Sequence, residues 1–89
     1  MRSFRLSVTS PEGTLFLGEV LQLSVRGVEG ELAVMAGHSP FATALAEGEC
    51  HIYLEDGSVR RADVRGGLLT VSREETALLS SSFSFRDSE

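Results

Sequence analysis

Few residues in this chain could carry catalysis or bind a metal: there are two histidines, one cysteine and scattered hydroxyls. A catalytic site needs a nucleophile or metal ligands beside an organised base. The spacing of these residues therefore decides whether they could form such a site. Cys50 and His51 are adjacent in an alternating segment, where neighbouring side chains point to opposite faces and cannot share one metal ion. His38 and Ser39 are also adjacent, but no nucleophile-elbow motif surrounds them. We therefore expect no catalytic residue and no metal site.

The segment from residue 25 to residue 40 is the densest part of the chain in glycine and charge. Residues 27–30 (Gly-Val-Glu-Gly) lack the lysine and the following helix of a phosphate-binding loop, and Glu29 and Glu31 would repel an anion. We therefore expect no nucleotide or other cofactor. From composition alone, we interpret the two carboxylates as part of a solvated turn and His38 as a surface residue. Binding residues nevertheless often lie on such loops.

The balance of charge argues against nucleic acid as a partner. The 89 residues contain 13 acidic side chains against 8 Arg and no Lys, giving a net charge of −5, whereas phosphate backbones attract clustered positive charge. No apolar run approaches the roughly 20 residues that span a bilayer, and no signal-like leader opens the chain. We expect one small cytoplasmic domain without direct membrane insertion. Its single cysteine, Cys50, fits a reducing compartment.

The elements that must position these residues are predicted to be strands. Glycine and proline interrupt the chain often, and the stretches between them alternate with period 2. The alternating apolar positions include Phe4, Leu6 and Val8, then Leu21, Leu23 and Val25, and later Cys50, Ile52 and Leu54. Isolated ribbons cannot bury these faces, so the pattern predicts an all-β fold, an antiparallel β-sandwich or flattened barrel of about ten short strands.

Turn residues separate these strands. Asp56-Gly57 between two alternating runs is the strongest hairpin signal. Residues 72–75 have the form of a helix capping box, but a helix of two turns there would have few anchors. We predict a turn instead, followed by a final strand over residues 76–80. We expect one β-sandwich domain over residues 1–82 and a frayed, serine-rich tail over residues 83–89.

Residues 27–43 have the sequence Gly-Val-Glu-Gly-Glu-Leu-Ala-Val-Met-Ala-Gly-His-Ser-Pro-Phe-Ala-Thr. This segment resembles the N-terminal β-sandwich domain of the epsilon subunit of F-type ATP synthases, whose pattern is roughly Gly-x-Glu-Gly-Glu-Leu-Gly-x-x-Pro-Gly-His-Ala-Pro-Leu-Leu-Thr. The likeness continues in order through residues 10–13 and 16–18 before it, and through Gly48, Asp56-Gly57 and residues 66–71 after it. It covers about residues 4–80. Ala33, Ala36 and Ser39 depart from the pattern.

The resemblance implies a non-catalytic part of the central rotor stalk, which joins the gamma subunit to the c-subunit ring and couples ion translocation to ATP synthesis. It assigns Glu31, with Glu29 beside it, to the loop that faces the ring. It assigns His38 and Thr43 to the surface that meets gamma. It also implies a peripheral location at the cytoplasmic face of the bacterial plasma membrane, as part of the ATP synthase complex.

The end of the chain departs from the family, most of whose members continue into a helical hairpin that inhibits ATP hydrolysis or binds ATP. We expect this chain to lack the hairpin, so neither property is transferred to it. Apolar residues on the outer faces, such as Phe41 and Met35, are further candidate gamma contacts, because desolvated apolar groups usually dominate affinity. The alternative to a rotor subunit is a free-standing protein-interaction or ligand-binding β-sandwich adaptor, since sandwich folds host many functions.

Overall fold

The computed structural model describes residues 2–86 and contains seven strands and no helix over that range. In chain order, the strands are β1 (Phe4–Ser10), β2 (Gly13–Gly27), β3 (Gly30–Met35), β4 (Phe41–Leu54), β5 (Val59–Val71), β6 (Thr76–Leu79) and β7 (Phe83–Phe85). The all-β sandwich predicted from the period-2 pattern is confirmed.

Three long strands contribute to both layers of the sandwich. The first half of β2 pairs with β1, and its second half pairs with β3 and β4. The first half of β5 pairs with β7 and its second half with β6, while β4 pairs with β5 along its length. Layer A therefore contains β1, β6, the first halves of β2 and β4, and the second half of β5. Layer B contains β3, β7, the second halves of β2 and β4, and the first half of β5. Each layer thus has five strand segments, and the ten segments come from seven continuous strands.

β1 closes the sandwich into a flattened barrel, because it pairs with β2 on one side and β6 on the other. The β1–β6 pair is parallel, whereas every other pairing described in residues 2–86 is antiparallel, as predicted. β6 runs antiparallel to β5, which it follows in the chain, and this direction is the same as that of β1 on its other side.

The core lies between the two layers. The predicted alternation holds in β1, but in β2 it is shifted, since Val20 is fully buried and Leu21 is only partly so. A bulge between Val20 and Gln22 adds a residue there and resets the phase. The side chains with no exposed surface are Leu6, Val8, Val20, Leu23, Cys50, Ile52, Ala62, Leu69 and Leu78.

β5 changes the face that it buries at Gly66 and Gly67. Val64 is buried before these glycines and Leu69 after them, so the buried positions change from even to odd numbers. Both glycines have positive φ, 82° and 133°, a conformation that other residues rarely adopt. A Cβ atom on Gly67 would also overlap the carbonyl oxygen of Leu79. The crossing of β5 from one layer to the other therefore requires glycine.

Residues 72–75 form a turn, as predicted, rather than a helix. The Ser72 hydroxyl donates to the Glu75 carbonyl oxygen at 2.9 Å and accepts from the Glu75 N–H at 3.2 Å. The capping-box residues thus satisfy each other's backbone without any helical turn following. β6 begins directly afterwards at Thr76.

The Asp56-Gly57 hairpin is confirmed between β4 and β5. The Asp56 carboxylate accepts hydrogen bonds from the side chain of Ser58 at 2.6 Å and from its backbone N–H at 2.9 Å. These bonds lower the pKa of Asp56 below its ordinary value, because they stabilise the ionised form. Gly57 has a φ of 91°, which accounts for the glycine at this position.

Residues 83–85 differ from the frayed tail expected from residue 83 onwards. They form β7 and pair with residues 62–64 of β5, so β6 is not the final strand. The strand forms because Phe83 and Phe85 pack against the core and against each other, with their ring centroids 5.1 Å apart. The Arg60 guanidinium also lies 3.8 Å from the centroid of the Phe85 ring. Residues 87–89 of the expected tail lie outside the described residues.

Candidate partner-binding surfaces

The β2–β3 hairpin presents the two predicted carboxylates. A two-residue turn that includes Glu29 joins the strands, and the φ of 133° at Gly30 explains the glycine there. Glu31 lies opposite Arg26 in the ladder, with its carboxylate 3.5 Å from the guanidinium. Since the Glu31 side chain is 80% exposed, this ion pair is weak and the carboxylate stays accessible.

A groove of about 330 Å³ between β3 and the start of β4 brings three of the four predicted site residues together. Glu29 and Glu31 line this β3–β4 groove from the hairpin, and Thr43 lines it from β4. Its remaining lining residues are Gly27, Gly30, Leu32, Phe41 and Ala42. Residues that the resemblance assigns to two different partners therefore lie in one depression.

His38 lies outside this groove, in the loop between β3 and β4, and lines a wider depression of about 610 Å³. Its Nδ1 donates to the Ser39 carbonyl oxygen at 2.8 Å, and its ring centroid lies 4.9 Å from that of Phe41. Phe41 also lines the β3–β4 groove. The structure thus sets His38 beside the three groove residues, with Phe41 between the two depressions.

Part of the outer face of layer A is uncharged, which the sequence did not predict. A charged row with Arg5, Glu19 and Glu75 borders this part. Cross-strand register sets two rows of outward side chains next to each other, first Thr9, Leu79, Leu68 and Ala44, then Leu17, Ser7, Ala77, Thr70 and Ala42. None of them is charged, and Leu68, Leu79 and Leu17 are 44%, 48% and 54% exposed. We call this surface the apolar face.

A signal for the apolar face does exist in the sequence. Leu68-Leu69 and Leu78-Leu79 are consecutive leucines within strands, where neighbouring side chains point to opposite faces. One leucine of each pair must therefore face outward. What the sequence does not state is that Leu68 and Leu79 lie directly opposite each other, which makes them one patch.

The outer face of layer B is charged, in contrast to the apolar face. Its side chains form ion pairs with one another across the strands, namely Arg26–Glu31, Arg65–Glu47, Arg86–Glu49 and Arg86–Asp63. His51 and Glu49 also contact each other along β4. Paired surface charges of this kind are well solvated and contribute little to stability. The outer face of layer B thus carries more paired charges than that of layer A, where the Arg5–Glu75 pair borders the apolar face.

Cys50 is buried in the core of the sandwich. Burial raises the pKa of the Cys50 thiol to about 12, so it remains protonated and unreactive near neutral pH. His51 lies on the opposite side of the strand, with its Nε2 3.2 Å from a Glu49 carboxylate oxygen. Residues 2–86 contain no group of three His, Cys, Asp or Glu side chains arranged to hold a metal ion. Over the same residues, no helix has the length and apolar character needed to cross a membrane.

Comparison with known families matches residues 3–85 to the ATP synthase delta/epsilon chain β-sandwich domain. The chain belongs to this family. Among its delta/epsilon relatives, the sodium-ion-specific ATP synthase epsilon chain of Acetobacterium woodii is 35% identical over 77 residues, and the epsilon chain of Caldicellulosiruptor saccharolyticus is 36% identical over 80. The alignments cover 86% and 90% of this chain, which spans 58% of the length of each relative.

Two solved structures share the fold of this delta/epsilon sandwich. A chain of the Euglena gracilis mitochondrial ATP synthase (OSCP, F1 and c-ring) superimposes with a TM-score of 0.88 at 22% identity, covering 93% of this chain and 53% of that one. A chain of the Tetrahymena thermophila mitochondrial ATP synthase central stalk and c-ring gives a TM-score of 0.76 at 12% identity, covering 92% and 66%. At these identities, the likeness establishes the fold.

Proposed function

We propose that this delta/epsilon family member is a non-catalytic rotor subunit of an F-type ATP synthase, which binds the gamma subunit and the c-subunit ring and couples ion translocation to ATP synthesis. The observation that carries the proposal is the contrast between the two outer faces. Layer B pairs its own charges, whereas the apolar face has no covering element in residues 2–86. A contiguous exposed apolar patch is typical of a protein interface.

Gamma is the partner that we assign to the apolar face. Thr43, a gamma contact by resemblance, lies between Ala42 and Ala44, which both point outward on that face. His38, the other such residue, packs its ring against Phe41 at the start of the same strand. The Thr43 side chain points away from the apolar face and into the β3–β4 groove, so we propose that gamma contacts both sides of the start of β4.

The c-ring is the partner that we assign to the tip of the β2–β3 hairpin. Glu29 and Glu31 project two accessible carboxylates there, and charges at the rim of an interface chiefly set specificity and association rate. In line with the resemblance, we propose a peripheral location at the cytoplasmic face of the bacterial plasma membrane, where the chain bridges the ring and gamma without entering the bilayer.

The test of gamma binding is a carboxylate introduced on each outer face in turn. Leu68→Glu puts a charge in the middle of the apolar face, and Val59→Glu puts the same charge on layer B, on the same strand and at a similarly exposed position (44% and 42%). We expect Leu68→Glu to weaken binding to purified gamma about tenfold or more, since an unpaired charge would be desolvated. Val59→Glu should bind like the unaltered chain.

Isothermal titration calorimetry measures both affinities, and thermal melting confirms that each variant is folded. Equal binding of gamma by the two folded variants would contradict the assignment of the apolar face. Reconstituted synthase assembled with and without the chain then tests coupling, because loss of proton- or sodium-driven synthesis is expected only when the chain is omitted.

A further inference from the structure

The open edge of β3 carries an inference that goes beyond rotor membership. β3 pairs with β2 on one side, and no strand in residues 2–86 pairs with its other side. The start of β4 pairs with β5 and lines the opposite wall of the β3–β4 groove. An unpaired strand edge is a template on which another strand can be added.

The register of the hairpin determines which backbone groups are available. In an antiparallel pair, alternate residues direct their N–H and C=O groups toward the neighbouring strand. Because a two-residue turn joins the strands, the N–H and C=O groups of Gly30 face β2. The N–H and C=O groups of Glu31, Ala33 and Met35 therefore point away from β2. The Met35 carbonyl accepts a hydrogen bond from the following loop. Both backbone groups of Glu31 and of Ala33 lack a partner in residues 2–86.

The edge also lacks the features by which proteins usually block strand addition. Proline, lysine, a bulge or several charges normally protect an exposed edge. β3 has no proline, lysine or bulge, and Glu31 is its one charged residue. The strand is therefore open to pairing along most of its length.

Charge and shape indicate which segment fits this edge. Glu29 forms no ion pair within residues 2–86, and the pairing of Glu31 with Arg26 is weak and exposed. A strand laid along β3 would place alternate side chains beside those of Glu31 and Ala33. Directly opposed residues of opposite charge stabilise such a pair, so a basic residue fits opposite Glu31 and a small or apolar one opposite Ala33.

We propose that β3 binds an extended segment of a partner protein by antiparallel strand addition, with a basic side chain of that segment opposite Glu31. Backbone hydrogen bonds to Glu31 and Ala33 supply the affinity, and the ion pair sets the register. The proposal concerns the strand edge itself, so it can be tested without gamma or the c-ring.

The probe, called the Val–Lys peptide, is an end-capped, fluorescent nine-residue peptide of sequence Val-Thr-Lys-Thr-Val-Thr-Lys-Thr-Val, in which Lys and Val alternate on one face so that Lys can lie opposite Glu31 and Val opposite Ala33. It is titrated with the full 89-residue chain and followed by fluorescence anisotropy, and a Val–Glu peptide has Glu in place of each Lys. Ala33→Pro removes the outward N–H and leaves the hydrogen bonds to β2 intact, whereas Ala33→Val keeps the N–H and serves as the matched control. We expect roughly tenfold weaker binding for Ala33→Pro and near-normal binding for Ala33→Val. Thermal melting confirms the fold of both variants.

Charge exchange provides a second test if Ala33→Pro does not fold. Glu31→Lys should lose affinity for the Val–Lys peptide and gain affinity for a Val–Glu peptide. Because the chain has a net charge of −5, any cationic peptide could bind it non-specifically. A Lys peptide with proline at every third position measures this non-specific binding, since proline prevents it from adding as a strand. Amide hydrogen exchange should slow at Glu31 and Ala33 when the Val–Lys peptide binds.

Three results with the peptides would overturn the proposal, and a fourth would replace it with self-association. The first three are equal binding of the proline-interrupted peptide, unchanged affinity of a folded Ala33→Pro variant, or slowed exchange confined to other strands. Pairing of two β3 edges in sedimentation experiments, with no peptide bound, would also overturn it in favour of self-association. None of these results bears on gamma binding by the apolar face, which the Leu68→Glu variant tests separately.

Discussion

Glu31 and Cys50 illustrate how surroundings decide what a single residue contributes. The Glu31 side chain is 80% exposed at a hairpin tip, where a change of charge alters the surface potential and hardly affects the core. Cys50 is fully buried between the layers, where its small apolar side chain packs and its ionisation is suppressed. The first residue is therefore a probe of binding and the second a probe of folding.

Reversing the charge at Glu31 should weaken attachment to the c-ring. We expect Glu31→Lys to fold like the unaltered chain and to bind isolated ring less tightly, with a difference that shrinks as salt is added. Glu12→Lys makes the same charge change in the exposed β1–β2 turn and serves as the control. Co-sedimentation with ring-containing vesicles measures both. Normal attachment of Glu31→Lys at low salt would show that the carboxylate is not a ring contact.

Cys50 should make stability fall at alkaline pH. Burial raises the pKa of its thiol from 9.0 to about 12, so the unfolded chain releases this proton first as the pH rises. Stability is unaffected by the thiol below about pH 9 and declines between pH 9 and 12, by about 1.4 kcal/mol per pH unit. Urea denaturation at several pH values measures the slope. Cys50→Ala should lack this component, and an identical slope in that variant would refute the assignment.

At the scale of elements, the crossing of strands between layers depends on glycine at defined positions. Gly66 and Gly67 let β5 exchange its buried face, and the tight approach of Gly67 to Leu79 leaves no room for a side chain. β5 is therefore one strand with two phases of burial. The family resemblance includes this double glycine, and the structure supplies its physical reason.

Gly67→Ala should be among the most destabilising substitutions in the chain. Gly13 provides a matched control, because its φ of 131° is close to the 133° of Gly67 while its Cβ position has no atom within 4 Å. We expect Gly13→Ala to cost roughly 1–2 kcal/mol from backbone strain alone, and Gly67→Ala to cost about 2 kcal/mol more or to prevent folding. Denaturant unfolding compares them. Equal losses would mean that β6 relaxes away from the added methyl group.

At the scale of the whole molecule, the sandwich separates two kinds of surface. The apolar face lies on layer A, the paired charges lie on layer B, and the carboxylates of Glu29 and Glu31 lie at the hairpin tip, at one edge of layer B. A domain organised in this way can hold two partners by different forces. Apolar burial suits a permanent contact, and exposed charge suits an adjustable one.

The two contacts should therefore differ in their thermodynamic signatures. Binding to gamma should show a negative heat-capacity change and little dependence on salt, since it buries apolar surface. Binding to the c-ring should weaken markedly between low salt and about 0.5 M salt, since it relies on exposed carboxylates. Calorimetry at several temperatures and salt concentrations measures both. Strong salt dependence of gamma binding would indicate that charges, and not the apolar face, form that contact.

Much of the fold follows from local patterns. The alternation of Leu6 and Val8, the Asp56-Gly57 hairpin and the turn at residues 72–75 are each determined by residues close together in the chain. Such features can be predicted because strand period and turn chemistry act over a few residues. The phase shift at Leu21 could not be predicted, since a bulge depends on the register of the partner strand.

The sequence by itself determined that the chain forms an all-β sandwich, and the pattern of residues 27–43, which includes Glu29, Glu31, His38 and Thr43, carried the resemblance to the family. The tertiary structure alone decided that three of these residues share one groove, that Leu68 meets Leu79 in an apolar face, and that β7 pairs with β5. The physical reason is distance along the chain. A strand's neighbours are chosen by burial of the whole core, and a surface exists only once distant strands have been set side by side.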